Sequence, residues 1–337
     1  MAPASIILGC EGLSVTAWER DFFSQADPFG FILFARNCQN PDQVRDLVRA
    51  LRGTVGRSDA PVLIDQEGGR VARLKPPHWR AAPPARRFGE IAVRDPGAAR
   101  EATRINALLL ALELRDLGID VDCLPVLDVP AAESHNIIGD RAFGEDADLV
   151  IDLGAAQIEG LLAGGVLPVV KHMPGHGRGQ VDSHHELPVV ESPRQVLEEV
   201  DFRPFRAHRT APMGMTAHVV YTAFDPRRPA TTSAVVIEEV IRGLIGFEGV
   251  LISDDLSMSA LKGDLGSRTA AALEAGCDLA LHCNGKPEEM AAVAAAAGPI
   301  SQSAAPRIAR MAEFRKQPEA CEPARLIEQL DALLETA

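Results

Sequence analysis

The sequence predicts an α/β protein: a single (β/α)8 TIM-type barrel over residues 1–300, with a helical appendage at 301–337 that packs on the barrel rather than forming a second domain. Three observations carry this expectation. Short apolar runs alternate with helical segments eight times in about 300 residues, the pattern of parallel strands joined by crossover helices. The 337-residue length suits one barrel of ~250 residues with insertions as well as it suits two domains of ~150. Five of the eight apolar runs also end in titratable residues, Asp65, Lys171-His172, His218, Asp254 and His282. In a barrel all strand ends open onto one face, so a shared site explains five such ends better than five separate helix caps do.

Strands are expected at 5–9, 30–34, 61–65, 121–124, 167–172, 214–218, 249–254 and 278–282. The first runs into Ile7-Leu8-Gly9-Cys10, which imitates a lipoprotein cleavage site. No basic residue precedes Arg20 and the apolar run is short, so it reads as a strand. The first helix starts at Thr16-Ala17-Trp18-Glu19, a capping box. The second starts at Asn40-Pro41, an N-cap followed by proline at the first helical position. A long amphipathic stretch at 98–117 stops at Gly118. Helices follow at 147–162, 194–207, 233–244, 268–275 and 287–297, and the appendage supplies two more at 304–315 and 324–335. The alanine run at 291–297 needs no special role, because alanine is the best helix former.

Composition narrows the function. The net charge of −13 argues against a nucleic-acid surface and against docking on anionic lipid. No apolar stretch reaches the roughly 18 residues of a membrane span. The cysteines, Cys10, Cys38, Cys123, Cys277, Cys283 and Cys321, show no C-x-x-C spacing and read as reduced thiols. Aromatic residues make up only 4%, too few for the flat platforms that grip long polysaccharides. The expectation is a cytoplasmic protein acting on a small soluble ligand, with no nucleic-acid or membrane partner, as a monomer or alternatively a dimer.

Four segments hold chemistry. The densest is Lys171-His172-Met173-Pro174-Gly175-His176-Gly177-Arg178-Gly179-Gln180-Val181-Asp182-Ser183-His184-His185-Glu186, with four of the nine histidines. Its proline and glycines forbid a helix, so His172 and His176 are not an i, i+4 metal pair, and the composition reads as a mobile loop at a strand end. Within it, Asp182 lies two residues from His184. A carboxylate beside an imidazole favours the imidazolium and makes a general acid–base, though a turn carboxylate and a surface histidine explain the spacing as well. In Ile252-Ser253-Asp254-Asp255-Leu256-Ser257-Met258, Asp254 is open to use as a nucleophile, a metal ligand or a helix cap, and Asp255 is expected to point away or cap. Asp65 sits within nine residues of Arg70 and Arg73, a set suited either to a polyhydroxylated ligand or to an internal salt bridge. Asn136-Ile137-Ile138-Gly139-Asp140-Arg141-Ala142-Phe143-Gly144 is a loop with Arg141 between acidic residues.

Together these segments resemble glycoside hydrolase family 3, specifically its single-domain bacterial β-N-acetylglucosaminidases. The matching stretches are Gly30-Phe31-Ile32-Leu33-Phe34-Ala35-Arg36-Asn37, the 65–73 loop, Asp140-Arg141-Ala142-Phe143-Gly144, Lys171 to His176, Asp182-Ser183-His184 and Ser253 to Met258, in family order over the first 260 residues or so. Met173 stands where the family usually has phenylalanine, and Ala142 where it often has serine; both read as packing changes. The resemblance implies a retaining enzyme that removes terminal β-linked N-acetylglucosamine from cell-wall recycling fragments, N-acetylglucosamine joined to anhydro-N-acetylmuramic acid with or without peptide. It implies Asp254 as nucleophile, His184 as acid–base assisted by Asp182, and Asp65, Arg73, Arg141, Lys171 and His172 as sugar-binding residues. It implies no cofactor and no metal. Many larger relatives draw the acid–base from a second domain; with eight units filling about 300 residues, the barrel's own glycine-rich loop is expected to supply it here. His176, His218 and Arg178 receive no role. Two other classes compete: a metal-dependent barrel hydrolase using His172, His176, His184, His218 and Asp254, and an amino-sugar-binding protein without catalysis.

Overall fold

The computed structural model describes residues 2–131, 137–181, 183 and 186–335. Eight parallel strands close into a barrel: β1 (Ala4–Gly9), β2 (Pro28–Leu33), β3 (Val62–Ile64), β4 (Val121–Asp122), β5 (Leu167–Met173), β6 (Met213–Thr216), β7 (Val250–Asp255) and β8 (Leu279–His282). Neighbours in sequence are neighbours in space, and β1 pairs with β8 to close the ring through Ile6↔Ala280 and Ile7↔Leu281. The (β/α)8 expectation holds, with strand bounds differing by a few residues at most.

Both faces of the sheet are covered, so the strands are almost wholly apolar and their alternation sorts two layers. Ile7, Ile32, Leu63, Val121, Val169, Met215 and Ile252 fill the barrel interior. Ile6, Leu8, Phe31, Leu33, Val62 and Ile64 face the surrounding helices. The interior is therefore a packed core, and function is confined to its ends.

The helices begin where their caps direct. α1 (Ala17–Ala26) carries the Thr16–Glu19 capping box, and α2 (Pro41–Thr54) is capped by Asn40 with Pro41 at its start. α3 (Ala85–Ala92) was not expected; it has no side-chain cap and lies among prolines, which hid it. α4 (Pro96–Asp116) and α5 (Ala147–Ala163) pack closely, since a Cβ on Gly160 would lie 2.3 Å from the Arg104 carbonyl oxygen. The helix expected at 194–207 is three pieces, a turn at Arg194–Val196, a wide turn at Leu197–Asp201 and a short helix at Arg203–Ala207. Pro204 lacks the N–H that a continuous ladder needs. Likewise Val236–Leu244 winds as a wider helix than the α form.

The segment after β8 crosses the N-terminal end of the barrel. Ala4 bridges Pro299, and Ile300 donates its N–H to the Pro3 carbonyl. The helix Ala305–Glu313 brings Met311 and Ile308 against the interior side chains. It is bolted down by Arg307, which grips the buried Asp278 carboxylate from two nitrogens while Arg242 donates to the same group at 3.0 Å. The last helix, Pro323–Glu335, packs against α4, and the Leu334 carbonyl accepts from Arg87 at 2.6 Å. Among the described residues no helix is long and apolar enough to cross a membrane.

Candidate active site

At the opposite end, a cavity of about 270 Å³ opens over the C-terminal ends of the strands. Asp65, Arg73, Arg141, Lys171, His172 and Asp254 all line it. Residues spread over 190 positions of chain thus converge because parallel strands deliver their ends to one face. Asp182 and His184, the expected acid–base dyad, lie outside the described residues, as does Asn136 of the arginine loop.

One wall is a network of charges. Lys171 is 2% exposed, and its Nζ lies 2.9 Å from Asp65 Oδ1 and 2.7 Å from Glu67 Oε1. Arg73 donates to Asp65 Oδ2 at 2.9 Å. Arg141 forks onto both Glu67 oxygens at 2.8 Å. Burial alone would raise the Asp65 carboxyl, but Lys171 and Arg73 outweigh it and hold it below the ordinary carboxylate range. Glu67 behaves alike, with burial overcome by Lys171 and Arg141 and its pKa drawn down to about 2. Of the alternatives weighed for Asp65 and Arg73, the internal salt bridge is present, and both of its residues line the cavity. Arg70, which also lines the cavity, pairs with Asp140 at 2.7 Å.

The second wall comes from β5 and its exit. Asp128, fully buried, accepts the His172 Nδ1–H at 2.7 Å and the His176 backbone N–H at 2.6 Å. This favours the Nδ1–H tautomer of His172, whose ring lines the cavity. His176 packs edge-on to His172 with ring centroids 5.9 Å apart. Burial pushes the His176 pKa down to about 4, so the ring is neutral at pH 7. Its Nε2 lies 3.3 Å from the hydroxyl of Ser183, the residue between Asp182 and His184 in the chain.

Asp254 ends the third wall. Ser253 before it accepts the Leu281 N–H, tying β7 to β8. Asp254 accepts the Asp255 N–H at 2.8 Å and, among the described residues, has no cation within ion-pair distance. Burial opposes its charge, yet the facing His218 and His172 rings hold its carboxyl below the usual range. Asp255 neither points away nor caps the next helix, Leu265–Ala275, whose cap is Asp264; it accepts from Ser257 N and Oγ at 3.0 and 2.6 Å within a turn. It also borders the cavity.

Two strand-end residues do not reach the cavity. His218 lies two residues beyond β6, donates through Nε2 to the Asp255 carbonyl at 2.9 Å and meets Thr231 through Nδ1 at 2.7 Å. His282, fully buried, turns toward Glu289, whose carboxylate is 3.6 Å away. Sequence reasoning also passed over Glu67 and Asp128. Glu67 stands two residues after Asp65, and Asp128 closes the apolar run 123–127; each position was visible, but neither ends a strand. Met173 and Ala142 are fully buried, in keeping with packing roles. Tyr221 is fully buried and donates to the Gly175 carbonyl at 2.7 Å. Among the described residues no group of three or more His, Cys, Asp or Glu side chains is arranged to hold a metal ion.

A barrel whose C-terminal mouth sets a half-buried, ionised carboxylate across from clamped acids and cations has the furniture of a glycosidase. Comparison with known proteins makes this specific: the chain belongs to glycoside hydrolase family 3, whose N-terminal domain matches residues 16–311. A β-hexosaminidase of Alkalilimnicola ehrlichii is 41% identical over 292 residues, covering 86% of this chain and 82% of the relative. One from Xylella fastidiosa is 39% identical over 307 residues, 89% of each. The crystal structure of NagZ from Neisseria gonorrhoeae in complex with N-trifluoroacetyl-D-glucosamine superposes with a TM-score of 0.86 at 31% identity, covering 99% of this chain and 97% of the other. The chain is a glycoside hydrolase of the β-N-acetylhexosaminidase type.

Proposed function

We propose that this enzyme removes terminal β-linked N-acetylglucosamine from small soluble cell-wall fragments in the cytoplasm, chiefly N-acetylglucosamine joined to anhydro-N-acetylmuramic acid with or without its peptide, and that it does so with retention. It acts as one catalytic unit, the 301–337 helices serving the barrel. The observation that carries the reading is the setting of Asp254: ionised, on the cavity wall, and among the described residues bound to no cation that would blunt it as a nucleophile. The carboxylates at Asp65 and Glu67 are instead fully engaged, which suits holding hydroxyls and not attack.

The chemistry follows from those roles. Asp65, Arg73, Arg141, Lys171 and His172 bind and orient the terminal sugar, whose ring is a fair match for a cavity of about 270 Å³. Asp254 attacks the anomeric carbon as His184 gives a proton to the departing oxygen, forming a glycosyl ester on Asp254. Asp182 keeps the His184 imidazole charged beforehand, which an opposite charge nearby favours. The same imidazole, now neutral, takes a proton from water, and the hydroxide equivalent releases the sugar with its original configuration.

The test is a digest of purified anhydro-disaccharide fragments, with products read by mass and by anomeric NMR, with and without phosphate. Retained configuration and free N-acetylglucosamine are expected; an inverted first product would overturn the mechanism. A fluorinated N-acetylglucosaminyl probe should label the native enzyme but not Asp254→Ala. Labelling that survives in the variant would displace Asp254. His184→Ala should suffer most on natural substrates and least, in the glycosylation step, on aryl glycosides with very good leaving groups.

A further inference from the structure

We infer that Arg178 and Asp201 form a positioning pair that sets the glycine-rich loop, so that the acid–base carried just beyond it meets the glycosyl–Asp254 bond. The inference rests on the proposed roles of His184 and Asp254, and it gives a part to Arg178, which received none above.

The loop leaves β5 at Pro174 and is held at successive points. The Gly175 carbonyl accepts the hydroxyl of the fully buried Tyr221 at 2.7 Å. Gly177 lies flat against the chain after β4, where Ala131 donates to its carbonyl at 3.0 Å. A Cβ on Gly177 would sit 1.9 Å from the Val129 carbonyl oxygen, so this glycine serves close approach rather than freedom. Arg178 then donates through Nε to Asp201 Oδ2 at 2.7 Å. Asp201 is 1% exposed, lies behind the loop in the wide turn Leu197–Asp201, and does not line the catalytic cavity. Among the described residues its Oδ1 has no hydrogen-bond partner, and the cation paired with it is the guanidinium that the loop brings.

A buried carboxylate stripped of its cation is costly, and the loop cannot lift Arg178 away without exposing that cost. The pair is thus a strong anchor at a defined place in the chain, four residues before Asp182 and six before His184. Ser183, between those two, also touches the pocket wall at His176. An acid–base on a tether this short takes its position from the anchor. A misplacement near 1 Å at a reacting group costs on the order of 100-fold in rate.

The experiment measures Arg178→Ala, Arg178→Lys and Asp201→Asn on an aryl N-acetylglucosaminide with a good leaving group, with and without azide, beside His184→Ala as the reference. Azide attacks the anomeric carbon of the glycosyl ester, the bond to the Asp254 oxygen breaks, and β-glycosyl azide forms with no proton to remove. A variant that lacks only a well-placed base is therefore restored by azide. We expect Arg178→Ala to lose about tenfold or more in kcat, with a far smaller change in KM, and to regain rate in azide with glycosyl azide as product. Arg178→Lys should keep most of the native rate. Asp201→Asn should give the same azide-restored loss in weaker form, and stands in if Arg178→Ala does not fold. Native kcat in Arg178→Ala, or a loss that azide leaves unchanged, overturns the pair's role. If azide fails to restore His184→Ala itself, the acid–base assignment falls instead, and the two failures are thereby told apart.

Discussion

Glu67 shows how much one side chain can organise. It is 5% exposed and touches both Arg141 and Lys171, so two cations contributed by different barrel segments share one carboxylate. Glu67→Gln keeps the shape and removes the charge. Breaking a buried pair this way costs about 3–5 kcal/mol at pH 7. The pH dependence has a definite sign. The folded pKa is drawn down to about 2 from an ordinary 4.5, so the contribution is whole above pH 4.5 and fades as pH falls toward 2. Urea titrations at pH 7 and near pH 3 should show the deficit of Glu67→Gln shrinking at the lower pH; a constant deficit would mean that packing, not charge, is at stake. At this scale sequence reasoning found side chains that end strands, such as Asp65, Lys171 and Asp254, because strand ends share a face. It missed Glu67 and Asp128, whose value lies in whom they touch across 104 and 44 residues of chain. His282 shows the converse: it ends a strand, yet its ring turns to Glu289 and not to the cavity.

Among elements, the glycine-rich loop uses its glycines for close approach as well as for freedom. Its glycines suggested a mobile lid; the structure shows two of them used for contact, Gly177 on the Val129 carbonyl and Gly179 beside the His176 ring, where a Cβ would come within 3.0 Å. Gly177→Ala must displace backbone rather than a flexible side chain. It should therefore lower kcat by tenfold or more, a 1 Å shift of a catalytic group being worth about 100-fold, and lower the melting temperature. Steady-state kinetics and a thermal melt check both, and unchanged kcat would show that the loop tolerates the shift. Helix starts were readable at Thr16 and Asn40 because capping is local chemistry. The breaks inside 194–207 and the uncapped α3 were not, since tertiary packing decides where a short segment bends or forms. Asp201 owes its buried place to one of those unforeseen turns.

For the molecule as a whole, the alternation of apolar and helical segments sufficed to read a (β/α)8 barrel, because eight parallel strands with both faces covered leave few other closures. What it could not reveal was the treatment of the two ends. The Ala305–Glu313 helix is fastened to the N-terminal end through Arg307 and Asp278, far along the barrel from Asp254. Arg307→Ala should cost about 2 kcal/mol, the worth of hydrogen bonds to a buried charge, and lower the melting temperature while leaving KM for the aryl substrate unchanged. A shifted KM would mean that the two ends communicate.

That fastening also sets a traffic rule. With the interior filled and the far end covered by Met311 and Ile308, the cavity is a cul-de-sac. Under the proposed function a sugar enters headfirst from a chain terminus, and whatever was attached to it backs out before the sugar does. Under the proposed mechanism the last molecule to leave is free N-acetylglucosamine, retreating along the path the next substrate needs. It should consequently inhibit competitively in initial-rate measurements, and noncompetitive behaviour would point to a second way out. One-way geometry would then let the enzyme slow itself as its own product accumulates.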